Sequence, residues 1–517
     1  MEIELKLRLP QSCIPRLQRS SLLKSLSVSR PVTRKLYSIY YDTPALDLKK
    51  KNVALRLRRD GRRWVQTVKG GGDVAAGMHQ RQEWETPVLK AQPDLTKISG
   101  TSLADLFHIG MLREELRPVF ATDFNRTIRK LLLPEGQEVE FCLDRGEITA
   151  EGASVSFCEI ELELKAGDPS TLFQLALDLL HSFPSSIPIR LENASKAERG
   201  YALASGVRAP PRKARPVSIP PEMNIAETFR VIAWNCLNHL HSNEAGMLEH
   251  AGIEYLHQMR VALRRERSAL NIFSRAFGKV AFGEMGKDLR WLSNQLGPAR
   301  DWDVFITETL VPICSAFPEH RGMRVLKEKC DKIREKYNDY ARMALDSTHY
   351  TELMLKLGAW LSQDAWSVND LPIPEEAARI RPEGLVTEFA GSLLERRHRQ
   401  LGKYGKNIEA LDLAQLHSLR IAAKKQRYAT EFFATLYSRK ETRRYIETLS
   451  DLQDILGPIN DVATVERNLT DLVIDKDSAD EHEAAGIIRG WGAGLVQVKK
   501  MELTEAWKSF SKSKTFW

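Results

Sequence analysis

Residues 2–6 read Glu-Ile-Glu-Leu-Lys, and this alternation constrains the fold more than any other stretch of the chain. Successive side chains of a β-strand point to opposite faces, so Glu2, Glu4 and Lys6 share one face while Ile3, Leu5 and Leu7 share the other. The same period returns at Arg56 and Arg58, at Arg81, Glu83 and Glu85, at Glu140, Cys142 and Asp144, and at Glu159, Glu161 and Glu163. One such strand, taken singly, is most simply a solvated face. Five of them, with acids and bases mixed on one side and aliphatics needing cover on the other, point to a closed or nearly closed antiparallel wall with a charged interior.

The intervening segments fit that wall. Residues 12–26 have a loose helical period with Ser12 as a candidate cap, and Leu36–Tyr41 is rich in β-formers. Asp60-Gly61-Arg62 reads as a hairpin turn, and Gly70-Gly71-Gly72 as a mobile loop without the spacing of a phosphate-cradling Walker loop. Further strands are expected at 80–86, 118–133, 138–143 and 155–165, with a turn at Arg145-Gly146, and a helix at 169–183. The proline-rich, basic stretch up to Pro221 has the composition of an extended linker. We therefore divide the chain into an antiparallel barrel or α+β domain at 1–205, a linker at 206–222 and a helical domain at 223–517.

The helical part repeats itself. His257-x-x-Arg260-x-x-x-Arg264-Arg265-x-Arg267 matches His417-x-x-Arg420-x-x-x-Lys424-Lys425-x-Arg427, and Leu296-Gly297-Pro298-x-x-Asp301 matches Leu456-Gly457-Pro458-x-x-Asp461 at the same offset. Positions i, i+3, i+7 and i+10 share one helix face, so each copy carries a basic stripe, widened by Arg265 and Lys425. A single basic stripe is commonly solvated; a pattern kept in two copies points to a shared polyanion. Asp301 and Asp461, after their prolines, suit helix capping as well as function.

A chain of 517 residues exceeds one ordinary core, and its net charge of +8 favours an anionic partner without naming it. Cysteines 13, 142, 158, 236, 314 and 330 form no C-x-x-C pair, which argues against zinc or thiol-redox chemistry. The sequence shows neither a leader nor an apolar run of membrane-spanning length, so we expect a cytoplasmic protein with no membrane partner.

A pore lined by carboxylates and by lysine and arginine suits a metal–polyphosphate complex, because hard divalent cations take oxygen ligands and phosphates take several cationic contacts. Glu2-x-Glu4-x-Lys6, Tyr41-Asp42-Thr43, Arg56-x-Arg58, Lys69, Glu83-x-Glu85, Arg126, Asp144, Glu159-x-Glu161-x-Glu163 and Ser195-Lys196 together resemble the CYTH superfamily, the triphosphate tunnel metalloenzymes. The segment from Met78 to Glu83 is similar to the inorganic triphosphatase branch. The resemblance implies an eight-stranded antiparallel tunnel using Mg²⁺ or Mn²⁺. It makes Glu2, Glu4, Glu159, Glu161 and Glu163 candidate metal ligands, and Lys6, Arg56, Arg58, Lys69, Arg126 and Lys196 triphosphate clamps. Glu161 and Lys69 become the catalytic candidates, with Glu83, Glu85, Glu140 and Asp144 as further tunnel acids. A class IV adenylate cyclase, a thiamine triphosphatase and a non-catalytic polyphosphate scaffold remain as alternatives.

The helical half, from about residue 223, resembles a CHAD domain. That implies two helical bundles around a basic channel for inorganic polyphosphate, contacted by His257, Arg260, Arg264, Arg265, Arg267, His417, Arg420, Lys424, Lys425 and Arg427. Nucleic acid is disfavoured, since no aromatic stacking platform accompanies the stripes. The overall expectation is an α+β protein, barrel then all-α bundle, hydrolysing inorganic triphosphate and associating with polyphosphate granules.

Overall fold

β1 (Glu2–Arg8) is the strand on which the sheet closes. With β2 (Val32–Asp42), β3 (Val53–Asp60), β4 (Arg63–Ala75), β5 (Met78–Val88), β6 (Arg117–Leu132), β7 (Glu138–Ala150) and β8 (Ala153–Ala166), it forms a sheet ordered β5-β4-β3-β2-β6-β7-β8-β1. β1 also pairs with β5, so the eight antiparallel strands make a closed barrel. The computed structural model describes residues 2–98, 107, 116–183, 188–277, 282–362, 381–472, 474–475 and 477–517.

The register keeps the charged positions on one face around the ring. Lys6 lies opposite Glu161, Glu161 opposite Cys142, Asp144 opposite both Glu159 and Arg126, Lys69 opposite Glu83, and Glu2 opposite Arg81. On the other face Leu5, Leu7, Ile160 and Leu162 are fully buried, and α1 (Ser170–His181) packs against β1 and β8. The two-residue strand β9 (Arg190–Leu191) joins β1 and leads to α2 (Lys196–Ser205), whose N-terminus is closed by a Ser195/Glu198 capping box.

Three local expectations change. Gly71 and Gly72 are not in a loop but form a bulge within β4, with positive φ; a Cβ on Gly72 would sit 1.8 Å from the carbonyl oxygen of Gln80. Gly146 is no turn: β7 continues to Ala150, and Gly146 is required because a Cβ there would meet the Asp123 carbonyl oxygen at 2.1 Å. Residues 12–26 split into short helical turns, and Ser20 rather than Ser12 accepts a capping bond, from the amide of Leu23.

The longer helices that follow, among the described residues, are α3 (Ile225–Leu248), α4 (Ile253–Phe277), α5 (Gly283–Val304), α6 (Arg321–Leu345), α7 (Thr348–Ser362), α8 (Val386–Gly402), α9 (Leu413–Phe432), α10 (Arg439–Asp471) and α11 (Ala479–Lys512). The chain divides into two compact units, Met1–Pro211 with Leu345–Asp364, and Arg212–Ala344 with Ala365–Trp517. Helix α7, which the sequence places in the helical part, thus belongs to the barrel unit. The proline-rich segment is not a free tether over residues 212–219. Asn243 bonds the Arg212 backbone on both sides, Thr435 bonds Ile219, and Val217 and Ile219 are buried.

Within the helical unit, α5 and α10 run straight through Pro298 and Pro458. The Leu-Gly-Pro motifs are therefore helix interior, and Asp301 and Asp461 are not caps. Trp302, Met323, Leu326, Val465, Leu469 and Ile488 build one core across α5, α6, α10 and α11, while Leu419, Leu449, Leu456 and Leu503 build another across α9, α10 and α11.

Candidate functional site

The barrel interior holds two ion-pair networks. In the first, Lys69 pairs with Glu2 at 2.7 Å and Glu83 at 2.8 Å, and Arg56 reaches Glu85 at 3.3 Å, Glu83 at 3.5 Å and the Thr67 hydroxyl at 3.0 Å. In the second, Lys6 pairs with Glu4 at 2.8 Å and with Glu161, while Arg126 pairs with Asp144 at 2.7 Å and with Glu161. Lys196 completes it, contacting Asp144 at 2.6 Å, Glu161 at 2.9 Å and Glu159. Two of the sequence candidates stand apart. Glu163 pairs with its strand neighbour Lys165 at 2.5 Å, and Glu140, opposite Glu163 in the sheet, accepts from the Cys142 thiol at 3.7 Å and acts on Lys165 and Glu163 electrostatically.

Electrostatics follow from that pairing. Burial by itself opposes the charged form of every group here. For Lys6 that penalty is outweighed by Glu161, Glu4 and Glu159, which raise the ammonium above its ordinary value. Glu161 is likewise pushed up by burial, yet Lys196, Lys6 and Arg126 hold it well below the usual carboxylate range. Arg58 is the exception. Burial first, then Arg56 and Arg126, lower it to about 10 against a smaller opposing pull from Tyr40 and Asp144, and among the described residues it has no ion pair, only a bond to the Ser38 hydroxyl at 3.3 Å and the Phe124 ring 5.9 Å away. It is the interior cation left facing like charges.

Asp144, Glu159 and Glu161 offer oxygens within 4.8 Å of one another, and all three side chains are buried. An all-oxygen donor set fits a hard divalent cation. The sequence reading had Glu159 and Glu161 among the ligands but counted Asp144 only as a tunnel acid; β-register, which sets it opposite Glu159, brings it in.

Two interior residues escaped the sequence reading. Arg199 pairs with Glu159 and lies 3.7 Å from Glu192; its signal was its place one turn after Lys196 on the same helix. His79 is held neutral, burial and then Lys6 lowering it to about 3, so its Nε2–H donates to the Glu192 carbonyl at 3.1 Å. Its period-two place before Arg81 put it on the inner face.

In the helical unit the two basic stripes converge. Arg264 of α4 lowers the pKa of Arg260 on its own helix and of Arg420 and Lys424 on α9, and its Nε donates to the Tyr428 hydroxyl at 3.4 Å. Lys424 falls to about 7 through burial, Arg420 and Arg264. His257 falls to about 4 through burial and then Arg300. The Nε atoms of Arg260 and Arg420 and Nδ1 of His257 are buried without a hydrogen-bond partner among the described residues. The glycines of the repeated motif lie beside these arginines: a Cβ on Gly297 would be in ordinary contact with the Arg260 guanidinium at 3.5 Å, and one on Gly457 with that of Arg420 at 3.8 Å. Asp301 takes Arg467 at 2.8 Å. A cavity of about 520 Å³ opens beside the first stripe, lined by Arg260, Arg267, Asp301, Tyr337 and Arg467 among others, with no residue of the second stripe, among the described residues, in its wall.

Of the stripe candidates only Arg260 and Arg267 line that cavity; Arg264, Arg420 and Lys424 form the crowded basic cleft between the stripes, and others point elsewhere. Arg265 is buried in packing, its guanidinium 5.2 Å from the Phe432 ring centre and bonded to Asn235 at 3.1 Å, because position i+8 turns away from i, i+3 and i+7. Lys425 and His417 are exposed, the latter bonded to Asn460. Arg300 and Arg467 lie outside both stripes, and Arg300 falls on a position of the Leu-Gly-Pro-x-x-Asp motif where the second copy has Asn460, so the repeat does not mark it.

A closed antiparallel barrel lined with paired acids and bases, followed by a helical repeat around a basic cleft, defines the class of protein. The CYTH domain model matches residues 1–201 and the CHAD domain model residues 231–470, and the chain belongs to these families as a CYTH domain followed by a CHAD domain. An inorganic triphosphatase of Haemophilus influenzae is 34% identical over 206 residues, 40% of this chain, and the match spans only 55% of that protein's length. An uncharacterised Mycobacterium tuberculosis protein is 27% identical over 456 residues, covering 83% of this chain and 81% of its own. The crystal structure of the CHAD domain from the plant Ricinus communis is 32% identical, with a TM-score of 0.51, covering 60% of this chain and 99% of that one.

Proposed function

We propose that the barrel hydrolyses inorganic triphosphate to pyrophosphate and phosphate with Mg²⁺ or Mn²⁺, and that the helical unit binds inorganic polyphosphate. The observation that carries the first part is the closed interior in which Lys6, Lys69, Arg56, Arg126 and Lys196 are each matched to carboxylates. Such a lining is complementary to a polyanion that arrives with its cation, and the Haemophilus influenzae relative is named for that substrate. When bound, the metal neutralises phosphoryl charge and lowers the pKa of a water. Asp144, Glu159 and Glu161 would hold it, with Glu2 and Glu4 as further acids. Arg58, unpaired, takes the first phosphate; the other cations then exchange carboxylate for phosphate oxygens, so charge stays balanced through binding. Glu161 and Lys69 remain the proposed catalytic residues.

The cleft supports the polyphosphate half, since Arg260, Arg264, Arg420 and Lys424 crowd one another in a half-buried setting that a bound polyanion would relieve. We place the protein in the cytoplasm, with 1–205, 206–222 and 223–517 as its functional divisions apart from α7.

The test is phosphate release by the full chain from inorganic triphosphate, ATP and thiamine triphosphate, each with Mg²⁺, Mn²⁺ and chelator. We expect metal-dependent cleavage of inorganic triphosphate alone. Thiamine diphosphate or cyclic AMP among the products would move the substrate assignment, and silence from folded protein on all three would end the hydrolytic reading.

A further inference from the structure

Helix α7 lies in the chain between the two repeats, yet its contacts belong to the barrel unit. Tyr350, Thr351, Leu353, Met354, Leu355, Leu357 and Leu361 are all buried, far more than the single apolar stripe of a surface helix. Its main partner is α1, whose Leu172, Phe173, Ala176 and Leu179 are buried with it. The approach is close: a Cβ on Gly358 would come within 2.3 Å of the Phe173 ring.

Around this contact, α7 grips the segment that leads into the tunnel. The Thr351 hydroxyl donates to the Ile189 carbonyl at 2.9 Å in a buried bond, Asp346, two residues before the helix, pairs with Arg190, and Glu352 lies 3.4 Å from His181. Residues just beyond Ile189 hold the site. The Glu192 amide donates to the Lys6 carbonyl at 2.8 Å, its carbonyl accepts from His79, and the Asn193 side chain accepts from the Gly77 amide at 2.8 Å. Ser195 then caps the helix whose first residue is Lys196, the cation joined to Asp144, Glu159 and Glu161.

We infer that α7, with Asp346 in the turn just before it, is a positioning element of the tunnel: through Thr351 and Asp346 the segment fixes residues 189–192, and through them the backbone of Lys6 and the placement of Lys196. Residues 1–205 by themselves are then an incomplete tunnel, since they lack the helix that covers Phe173. Only the kinetic part of the test rests on the hydrolytic reading.

The test uses the full chain carrying Thr351→Val, Thr351→Ser, Asp346→Ala or, as a control on the exposed side of α7, Lys356→Gln. Hydrogen exchange followed by mass spectrometry should show residues 189–196 and 76–80 exchanging about tenfold faster in Thr351→Val, where a buried carbonyl loses its donor. Asp346→Ala should shift the same peptides less, and Thr351→Ser and Lys356→Gln should match the parent. For inorganic triphosphate, Thr351→Val should lower kcat about fivefold with KM within twofold, and its effect should be less than multiplicative with Glu192→Gln, as for residues acting through one segment. Unchanged exchange at 189–196 in both Thr351→Val and Asp346→Ala would overturn the inference, whatever the kinetics. A parent chain inactive on inorganic triphosphate would instead count against the hydrolytic reading and leave exchange to decide.

Discussion

The tunnel and the cleft both gather basic residues, but they treat the charge in opposite ways. In the tunnel nearly every cation faces a carboxylate, and the pairs raise Lys6 and depress Glu161 together. In the cleft Asp301 and Asp461 offset the cations only in part, and burial with mutual repulsion depresses Lys424, Arg260 and Arg420. A self-neutralised lining can exchange partners with a metal–anion complex at little net change in charge. A frustrated one is relieved by a bare anion, so binding there should stabilise the fold and depend strongly on pH.

The largest expected effect breaks the tunnel side of this contrast. Lys196→Ala leaves Asp144 and Glu159 buried with one cation fewer, and we expect turnover to fall about 10²–10³-fold, the range for losing one preorganised charge stabiliser. The same variant should lose about 3–5 kcal/mol of stability, as for a broken buried ion pair, measured by denaturant unfolding. Turnover within threefold of the parent would remove Lys196 from the site. Chelation separates the halves next: EDTA should abolish triphosphate cleavage while leaving polyphosphate binding, read by a filter or mobility assay, within about twofold.

Smaller effects sharpen the cleft side. Long-chain polyphosphate at a hundredfold excess over its Kd should stabilise the chain by about 2.7 kcal/mol, seen as a raised thermal midpoint, and Arg264→Ala should weaken that binding most because both stripes share it. The pH dependence has a definite sign. Free Lys424 titrates at about 7, and a bound anion raises that value. Binding above pH 7 therefore requires proton uptake, and affinity should fall by up to about one decade per pH unit there while staying flat below. Lys424→Ala should flatten the profile. The smallest effect belongs to Arg265→Gln, which should leave polyphosphate affinity within about twofold, because its guanidinium lies against Phe432 instead of facing the cleft.

Much of the site was legible because period two is a local property. Glu2, Glu4, Lys6, Glu159 and Glu161 share a face whatever the strands pair with, and the repeated His-x-x-Arg stripes share one by helical geometry. The less regular features failed for equally physical reasons. Gly72 and Gly146 looked like loop and turn residues, but each is required by a neighbouring carbonyl across the sheet, which no local window reports. Asp301 and Asp461 suit helix capping in the sequence, yet the helices continue through Pro298 and Pro458 and enclose both aspartates, because packing across the unit outweighs the lost backbone bond at each proline.

By itself, then, the sequence determined a charged barrel interior and a duplicated basic helical unit, because alternation and repetition are written in neighbouring residues. Only the tertiary structure decided which carboxylate meets which lysine, that Asp144 joins Glu159 and Glu161, and that α7 belongs to the barrel. Those are contacts between residues distant in the chain, chosen by strand register and by which apolar face finds cover, and neither quantity has a local signature.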